Sequence, residues 1–170
     1  MKQVLEILPL WYILVYIDMF IHDVCAALKA AGVPYAIVGG YAVALHGAVR
    51  GTVDVDVAIR WSLKNLQNAE QALKKLGLVS SIPIDARQVY HFREEYIQNR
   101  HLTAWNFYDP SHPLKQVDLI IAYDLAKRHT KTFHTDAGKI CVLAKRDLIA
   151  MKRASGRPQD LEDVKALEAL

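Results

Sequence analysis

A chain of 170 residues with 52% hydrophobic and 23% charged residues can bury the core of a domain and is too apolar to stay disordered. Its net charge of +3 is too small to indicate nucleic-acid binding by itself, although a local basic patch remains possible. Cys25 and Cys141 match no metal-binding or redox spacing, so reduced thiols in a cytoplasmic protein are expected. We expect residues 1–170 to form one domain.

The first 32 residues contain the most apolar stretch, 4–21, which two acidic residues and a proline interrupt. Its uninterrupted part is shorter than the roughly 20 apolar residues that a membrane span needs, so no membrane association is expected. A helix over about residues 10–31, ended by Gly32, is predicted instead. Its apolar residues can pack on the domain or form a surface for a second copy or another protein.

Residues 35–59 carry the pattern on which the functional interpretation depends. The apolar run 35–38 predicts a buried strand, Gly39 and Gly40 follow it, and a helical segment of small residues is predicted over 41–49. A second strand is predicted over 52–59, where Asp54 and Asp56 alternate with valines. We therefore expect the valines to face the core and the two aspartates to share the opposite face.

Two adjacent carboxylates repel one another unless they are protonated or bridged by a cation. Oxygen ligands of this kind suit Mg²⁺, which leaves its other positions to water and phosphate. A Gly-Gly at a strand-to-helix turn lets a ligand approach the backbone, and a helix N-terminus favours phosphate. Either feature alone is commonly a plain turn or a solvated strand face, but together they indicate phosphoryl or nucleotidyl transfer.

The sequence of apolar strand, Gly-Gly, helix and then RGTVDVD at 50–56 resembles the DNA polymerase beta-type nucleotidyltransferase superfamily. More narrowly, it is similar to small bacterial nucleotidyltransferases that include toxins of toxin–antitoxin and abortive-infection systems. Residues 147–152 and 156–163 share this resemblance, which covers roughly residues 33–167. It implies an α+β, two-layer fold in which helices flank a small mixed sheet.

The resemblance places a third carboxylate on a strand beside the Asp-x-Asp strand, and Asp118 lies in a predicted strand over 116–123. A single charge in such an apolar run is costly to bury unless it is paired or bound to a metal. The alternative is an edge-strand aspartate that faces water. The predicted catalytic acids, and the predicted ligands of Mg²⁺ or of Mn²⁺ in its place, are Asp54, Asp56 and Asp118.

The resemblance also implies which residues contact the nucleoside triphosphate. Lys152 is a predicted catalytic residue that neutralises triphosphate charge, with a structural ion pair as its alternative. Arg50 has a similar alternative, because it can instead brace the turn. The predicted nucleotide- and phosphate-binding residues are Gly39, Gly40, Arg50, Thr52 and Arg157.

The remaining segments predict further regular elements. The basic segment 124–134 is expected to be a solvated helix face, or alternatively a patch that contacts the phosphates of a nucleotide or RNA. The other predicted elements are a helix over 61–76 capped by Ser62, an extended segment over 78–84, a helix over 85–99, antiparallel strands over 102–108 and 116–123, a strand over 139–143, and a helical pair within 144–170.

Taken together, these features predict a metal-dependent nucleotidyltransferase that moves a nucleoside monophosphate from a nucleoside triphosphate to an acceptor hydroxyl. A toxin-like member would modify RNA, such as a tRNA, and would bind an antitoxin protein or form a homodimer through its N-terminal apolar helix. An aminoglycoside or lincosamide nucleotidyltransferase carries the same motifs. A non-catalytic nucleotide- or partner-binding module is a third interpretation, favoured by the bulky Tyr41 directly after the glycines.

Overall fold

The computed structural model describes the backbone of residues 10–170 and the side chains from Met19 onward. Within this range the chain has the expected mixed α+β architecture, a seven-stranded sheet flanked by helices. The helices are α1 (Leu10–Ala30), α2 (Gly39–Leu45), α3 (Leu63–Lys75), α4 (Ala86–His91), α5 (Arg93–Arg100), α6 (Lys145–Ser155) and α7 (Pro158–Glu168). The strands are β1 (Tyr35–Ile37), β2 (Val55–Ile59), β3 (Val79–Ser80), β4 (Ala104–Asp109), β5 (His112–Ile120), β6 (Thr130–Thr135) and β7 (Gly138–Leu143).

The strand order of the sheet is β3-β4-β5-β2-β1-β7-β6. β2 pairs with β5, and β1 with β7, in parallel, whereas the other neighbouring strands are antiparallel. β2 is therefore the central strand, with β1 and β5 directly beside it. Because β1 and β2 run in opposite directions, the turn that follows β1 lies next to the residues that begin β2.

Alternation along β2 separates a core face from a polar face. Its core-facing residues Val55, Val57 and Ile59 are at most 1% exposed. The ladders place further buried residues on the same face of β5 and β4, namely Val117, Leu119, Trp105 and Phe107. α1 contacts β5 and β7 and adds to this core Phe20, Ile21, Val24 and Leu28.

The opposite face of the sheet carries the polar side chains. Asp56 on β2, Asp118 on β5 and Asn106 on β4 lie opposite one another across the two ladders. α2 contacts β2, and α6 places Met151 beside Ile120 at the C-terminal end of β5. On this face, α2 and α6 thus lie close to the acidic residues of the two strands.

The observed boundaries differ from the predicted ones at the functional turn. α2 begins at Gly39 rather than at residue 41, and it ends at Leu45, shortly before Gly47 takes a φ of 107°. β2 begins at Val55 rather than at residue 52, so Asp54 precedes the strand. The helix predicted over 85–99 is divided into α4 and α5 at Phe92, whose φ of −107° and ψ of 23° interrupt the helical backbone.

The prediction of a helix face over residues 124–134 is wrong. The segment forms a loop and then β6, an edge strand paired with β7 from Thr130 to Thr135. Two features explain the difference. Lys127 has a positive φ of 62°, which a helix does not allow, and the β-branched threonines of β6 favour an extended backbone.

Strand β5 is longer than predicted, because it begins at His112 rather than at residue 116. Its first residues pair with β4 beyond the start of β2, where Pro113 removes no hydrogen bond from a central strand. At the N-terminus, the backbone of α1 agrees with the predicted helix, but the side chains before residue 19 of the proposed apolar surface lie outside the described residues. Among the described residues, no helix is long and apolar enough to cross a bilayer.

Candidate active site

Two of the three predicted catalytic acids, Asp56 and Asp118, lie on the neighbouring strands β2 and β5, and Asp54 directly precedes β2. Asp56 is in register with Asp118, since Val55 pairs with Val117 and Val57 with Leu119 in the parallel ladder. Neighbouring strands lie about 4.7–4.9 Å apart, so the two side chains are adjacent on this face. Asp54 is close enough to Asp56 and Asp118 for their charges to interact.

The diglycine turn is needed because Asp56 and Thr52 pack directly against its backbone. Gly39 has a φ of 63°, and a Cβ atom at this position would overlap the Asp56 carboxylate. A Cβ atom on Gly40 would come within 2.6 Å of the Thr52 Cβ atom. Both positions therefore require glycine, and the turn, Thr52 and Asp56 form one closely packed unit.

Burial and mutual repulsion hold the carboxylates in an unfavourable electrostatic environment. Burial first, and then the charges of Asp118 and Asp54, raise the pKa of Asp56 to about 6, against a smaller opposing effect of Lys152 and Arg157. Burial and the charge of Asp118 also raise the pKa of Asp54. Asp118 is thus the acid that repels both members of the Asp-x-Asp pair.

Asp118 has a neutral hydrogen-bond donor on its other side. Asn106 lies opposite Asp118 in the antiparallel β4–β5 ladder, and its Nδ2 donates to Asp118 Oδ1 at 2.8 Å. The sequence motifs did not indicate Asn106. The predicted strands over 102–108 and 116–123 contained both residues, but only the hairpin register shows that they are opposite one another.

Lys152 and Arg157 lie beside the acids but belong to an ion-pair cluster of the last two helices. The buried Lys152 Nζ donates to Asp160 Oδ1 at 2.8 Å and to Asp163 Oδ2 at 2.7 Å. Arg157 Nε donates to Asp160 Oδ2 at 2.6 Å. Arg50, at the far side of the cluster, has its Nε 3.2 Å from Asp163 Oδ1. Lys152 therefore makes the structural ion pair that was its alternative role. Arg50 pairs with Asp163 and also donates to the Gly51 carbonyl oxygen of its own turn.

A small cavity of about 60 Å³ connects this cluster to the acidic strands. Asp56 and Gly39 line one side of it, and Lys152, Arg157 and Asp160 line the other. Lys152 is only 7% exposed, whereas the Arg157 side chain is 76% exposed. Of the two cations, Arg157 is consequently the one that a ligand in solution can reach.

The basic residues predicted as an alternative phosphate-binding patch are not part of this site. They fall on the loop before β6 and on β6 itself, which is separated from β2 by β1 and β7. Two of their cations lie over aromatic rings instead: Arg128 is 5.3 Å from the Tyr123 ring centre and Lys131 is 4.6 Å from the Phe133 ring centre. The fold thus brings together the acidic cluster, the glycine turn and Thr52, with Lys152 and Arg157 on the other side of the cavity.

No protein-family model and no curated protein matches the sequence. Solved structures do match its fold. The complex of ANT(2'')-Ia with adenylyl-2''-tobramycin aligns with a TM-score of 0.58 and 14% identity, over 90% of this chain and 87% of that one. The lincosamide antibiotic adenylyltransferase LnuA, bound to lincomycin, aligns with a TM-score of 0.54 and 16% identity, over 92% and 95% of the two chains.

A third similar structure is an antigenic nucleotidyltransferase-like protein from Paracoccidioides brasiliensis, with a TM-score of 0.57 and 19% identity, over 89% of this chain and 74% of that one. At these identities the similarity defines the fold. The chain has the polymerase beta-like nucleotidyltransferase fold, and its acidic residues and diglycine turn occur together on the polar face of that fold.

Proposed function

We propose that this protein is a nucleotidyltransferase that moves a nucleoside monophosphate from a nucleoside triphosphate to an acceptor hydroxyl, with Mg²⁺ as its cofactor and Mn²⁺ as a substitute. The observation that carries this proposal is the cluster of Asp54, Asp56 and Asp118 beside a diglycine turn, where burial and then the neighbouring carboxylates raise the pKa of Asp56 to about 6. The fold supports the same conclusion, because solved chains with this fold include the adenylyltransferase LnuA.

The residues present fit a divalent cation of the magnesium type. The donors are all carboxylate oxygens, and a bound cation would offset the burial and the neighbouring negative charge that raise the pKa values of Asp54 and Asp56. Within the described chain, no group of three or more His, Cys, Asp or Glu side chains is placed to hold a metal ion. Mg²⁺ suits this arrangement because it uses one or two protein carboxylates and takes its remaining ligands from phosphate and water.

The protein's own contribution is positioning and charge. A divalent ion bound here would supply charge neutralisation of the triphosphate and acidification of the acceptor hydroxyl. Asp54 and Asp56 hold the donor side, and Asp118 faces the acceptor hydroxyl. The Gly39–Gly40 turn lets the phosphates approach the backbone closely, because neither residue carries a Cβ atom.

Arg157 is the basic residue that we assign to the phosphates. Its Nε is held by Asp160, so the exposed end of the guanidinium remains to bind an anion, as this planar group does well. We propose a supporting role for Lys152, Arg50 and Thr52. Lys152 lowers the pKa of Asp56 from across the cavity, and Thr52 packs on the turn.

For the acceptor we propose RNA, such as a tRNA, in a toxin-like role. One step from Asn106 and Asp118 on the same face, Tyr108 pairs with Gln116, and Tyr108 is 38% exposed. An exposed aromatic ring beside the acids can stack on a base, a contact worth roughly 1–3 kcal/mol. The proposal includes an antitoxin protein or a second copy as a partner, for which the apolar N-terminal residues are the candidates.

An antibiotic-modifying enzyme is the second candidate, and the solved structures favour it. ANT(2'')-Ia was solved with adenylyl-2''-tobramycin, and LnuA was solved with lincomycin. The two candidates share the donor chemistry and differ in the acceptor. A non-catalytic module with the same fold is a third possibility, and it differs from both in releasing no pyrophosphate.

The deciding experiment incubates the protein with each α-labelled nucleoside triphosphate and Mg²⁺, in parallel with total RNA, an aminoglycoside and a lincosamide. We expect label on RNA. Label on a drug alone would replace the toxin-like proposal with the antibiotic one. No label on any acceptor, together with triphosphate binding that stabilises the protein equally with and without Mg²⁺, would identify a binding module.

Asp54→Ala and Asp56→Ala are expected to abolish labelling while the fold is retained. The loss should reach at least the roughly 10²–10³-fold seen when one group that stabilises transition-state charge is removed. Asp136→Ala provides the matched control, since Asp136 is an exposed aspartate in the β6–β7 turn. Full activity in Asp54→Ala or Asp56→Ala would refute the assignment of the site.

A further inference from the structure

Asn106 is a polar residue on a strand whose neighbouring side chains belong to the core. Trp105 and Phe107, on either side of it, are fully buried on the opposite face of β4. Asn106 itself lies on the polar face and is partly buried, and its amide donates to Asp118 Oδ1 at 2.8 Å. Asparagine is unfavourable in strands, so this position is not explained by backbone preference.

We propose that Asn106 is a positioning residue of the active site, which fixes the orientation of the Asp118 carboxylate for divalent-cation and acceptor binding. The proposal rests on the function proposed above. The hydrogen bond engages Oδ1 from the β4 side, where Asn106 is the residue directly opposite Asp118. The other oxygen of Asp118, Oδ2, takes no part in this bond, and Asp56 lies in register with Asp118 on the β2 side.

The neutrality of the donor is the important chemical property. A lysine or arginine at this position would also orient Asp118, but its positive charge would compete with a bound cation. The C-terminal cluster contains such an arrangement, where Lys152 donates to two aspartates and is itself the counter-ion. An amide orients the carboxylate and leaves its full negative charge available to a ligand.

Hydrogen bonds to metal-binding carboxylates have measurable consequences. Removing such a partner typically lowers metal affinity or activity by about 10–100-fold, because the ligand then samples unproductive orientations. We expect this range for Asn106. The effect should fall on Mn²⁺ affinity and on kcat, because Asp118 acts on the acceptor hydroxyl, and the KM for the triphosphate should change little.

The test compares Asn106→Leu, which keeps a similar size and removes the donor, with Asn106→Gln, which keeps an amide donor. Asn65→Ala is the matched control, because Asn65 Nδ2 also makes a 2.8 Å hydrogen bond, to the Arg60 carbonyl oxygen on the solvent side of α3. Mn²⁺ binding is measured by electron paramagnetic resonance, and label transfer and thermal unfolding are measured on the same preparations.

We expect Asn106→Leu to bind Mn²⁺ about 10–100-fold more weakly, with Asn106→Gln recovering part of the affinity and Asn65→Ala unchanged. Wild-type affinity in Asn106→Leu would overturn the positioning role and leave the proposed function intact. Equal losses in the Leu and Gln variants would also overturn it, since the donor would not matter. Absence of Mn²⁺ binding in the wild-type protein, together with no transfer, would overturn both proposals.

Discussion

Asp56 and Asp160 line the same small cavity, but the protein shifts their pKa values in opposite directions. Burial and two neighbouring carboxylates raise the pKa of Asp56 to about 6. Burial also acts to raise the pKa of Asp160, but hydrogen bonds from Arg157, Lys152 and Ser155 outweigh it and lower this pKa. The difference between the two carboxylates is therefore the supply of cations and donors, because both are partly or fully shielded from water.

The comparison separates structure from function within one site. The ion-pair cluster of α6 and α7 contains both the acids and the cations that neutralise them, so it can hold the two helices together without a ligand. The acidic row, which consists of Asp54, Asp56 and Asp118, has no counter-ion in direct contact among the described ion pairs. Its neighbouring cations, Lys152 and Arg157, are engaged by Asp160 and Asp163. A protein that maintains such repulsion on its central strand is expected to gain from an external cation.

The largest effect on stability is expected when the ion-pair cluster of α6 and α7 loses Lys152, its central cation. Lys152→Met would leave Asp160 and Asp163 buried without their shared lysine, which costs about 3–5 kcal/mol when one partner of a buried pair is removed. The expected result is a large fall in the urea midpoint, or a protein that no longer folds. An unchanged midpoint would show that the cluster is not structural.

A variant with all three groups replaced, Lys152→Met with Asp160→Asn and Asp163→Asn, serves as the control. Neutral groups of similar volume avoid the uncompensated charge, so this variant should be more stable than Lys152→Met alone. If both unfold alike, the loss arises from packing of the lysine side chain rather than from its charge.

The acidic row should respond in the opposite direction. Asp56→Asn removes a charge that both burial and the neighbouring carboxylates disfavour, so it should raise the free energy of unfolding of the metal-free protein near pH 8 while it abolishes transfer. A shift of the pKa from 3.8 to about 6 corresponds to roughly 1–3 kcal/mol, at about 1.4 kcal/mol per pKa unit. Urea unfolding in EDTA measures this difference against the wild-type protein.

The pH dependence gives the sign of the effect. Because folding raises the pKa of Asp56, its protonated form stabilises the fold below the unfolded-state pKa of about 3.9, and this contribution is lost as the pH rises through about 6. The advantage of Asp56→Asn over wild type should thus be small near pH 4 and complete above pH 7. An advantage that does not vary with pH would contradict the electrostatic explanation.

The sequence predicted the acidic row and the glycine turn better than it predicted their surroundings. Asp54 and Asp56 follow from strand alternation, and the resemblance placed Asp118 on the adjacent strand. Gly39 and Gly40 were interpreted as a route for a ligand, whereas their first structural role is to admit Asp56 and Thr52. That role depends on a distance between two strands, which the local pattern does not contain.

Asn106 and the β6 strand show where sequence reasoning fails. Asn106 lies opposite Asp118 only because of the register of β4 and β5. That register depends on the turn between the two strands, which was predicted to be several residues longer than it is. The threonines of β6 lie among lysine and histidine residues, and this charged composition was interpreted as a solvated helix face. Pairing with β7 decides that segment, because its buried residues Ile140, Val142 and Leu143 provide a partner strand.

The smallest effect on stability is expected at Arg157, which joins the two regions. The Arg157 side chain is 76% exposed in its ion pair with Asp160. Arg157→Lys should therefore change the free energy of unfolding by no more than about 1 kcal/mol. The KM for the nucleoside triphosphate should nevertheless rise, because lysine cannot pair with Asp160 and present a planar, two-pronged donor to phosphate at once.

Arg153→Lys is the matched control for this comparison. Arg153 lies on α6, its side chain is 57% exposed, and it pairs with Glu168 rather than with a residue of the cavity. Steady-state kinetics and urea unfolding of both variants separate the two roles of Arg157. If Arg157→Lys loses stability on the scale of Lys152→Met with an unaltered KM, Arg157 belongs entirely to the closing cluster, and the phosphates must be bound by other residues.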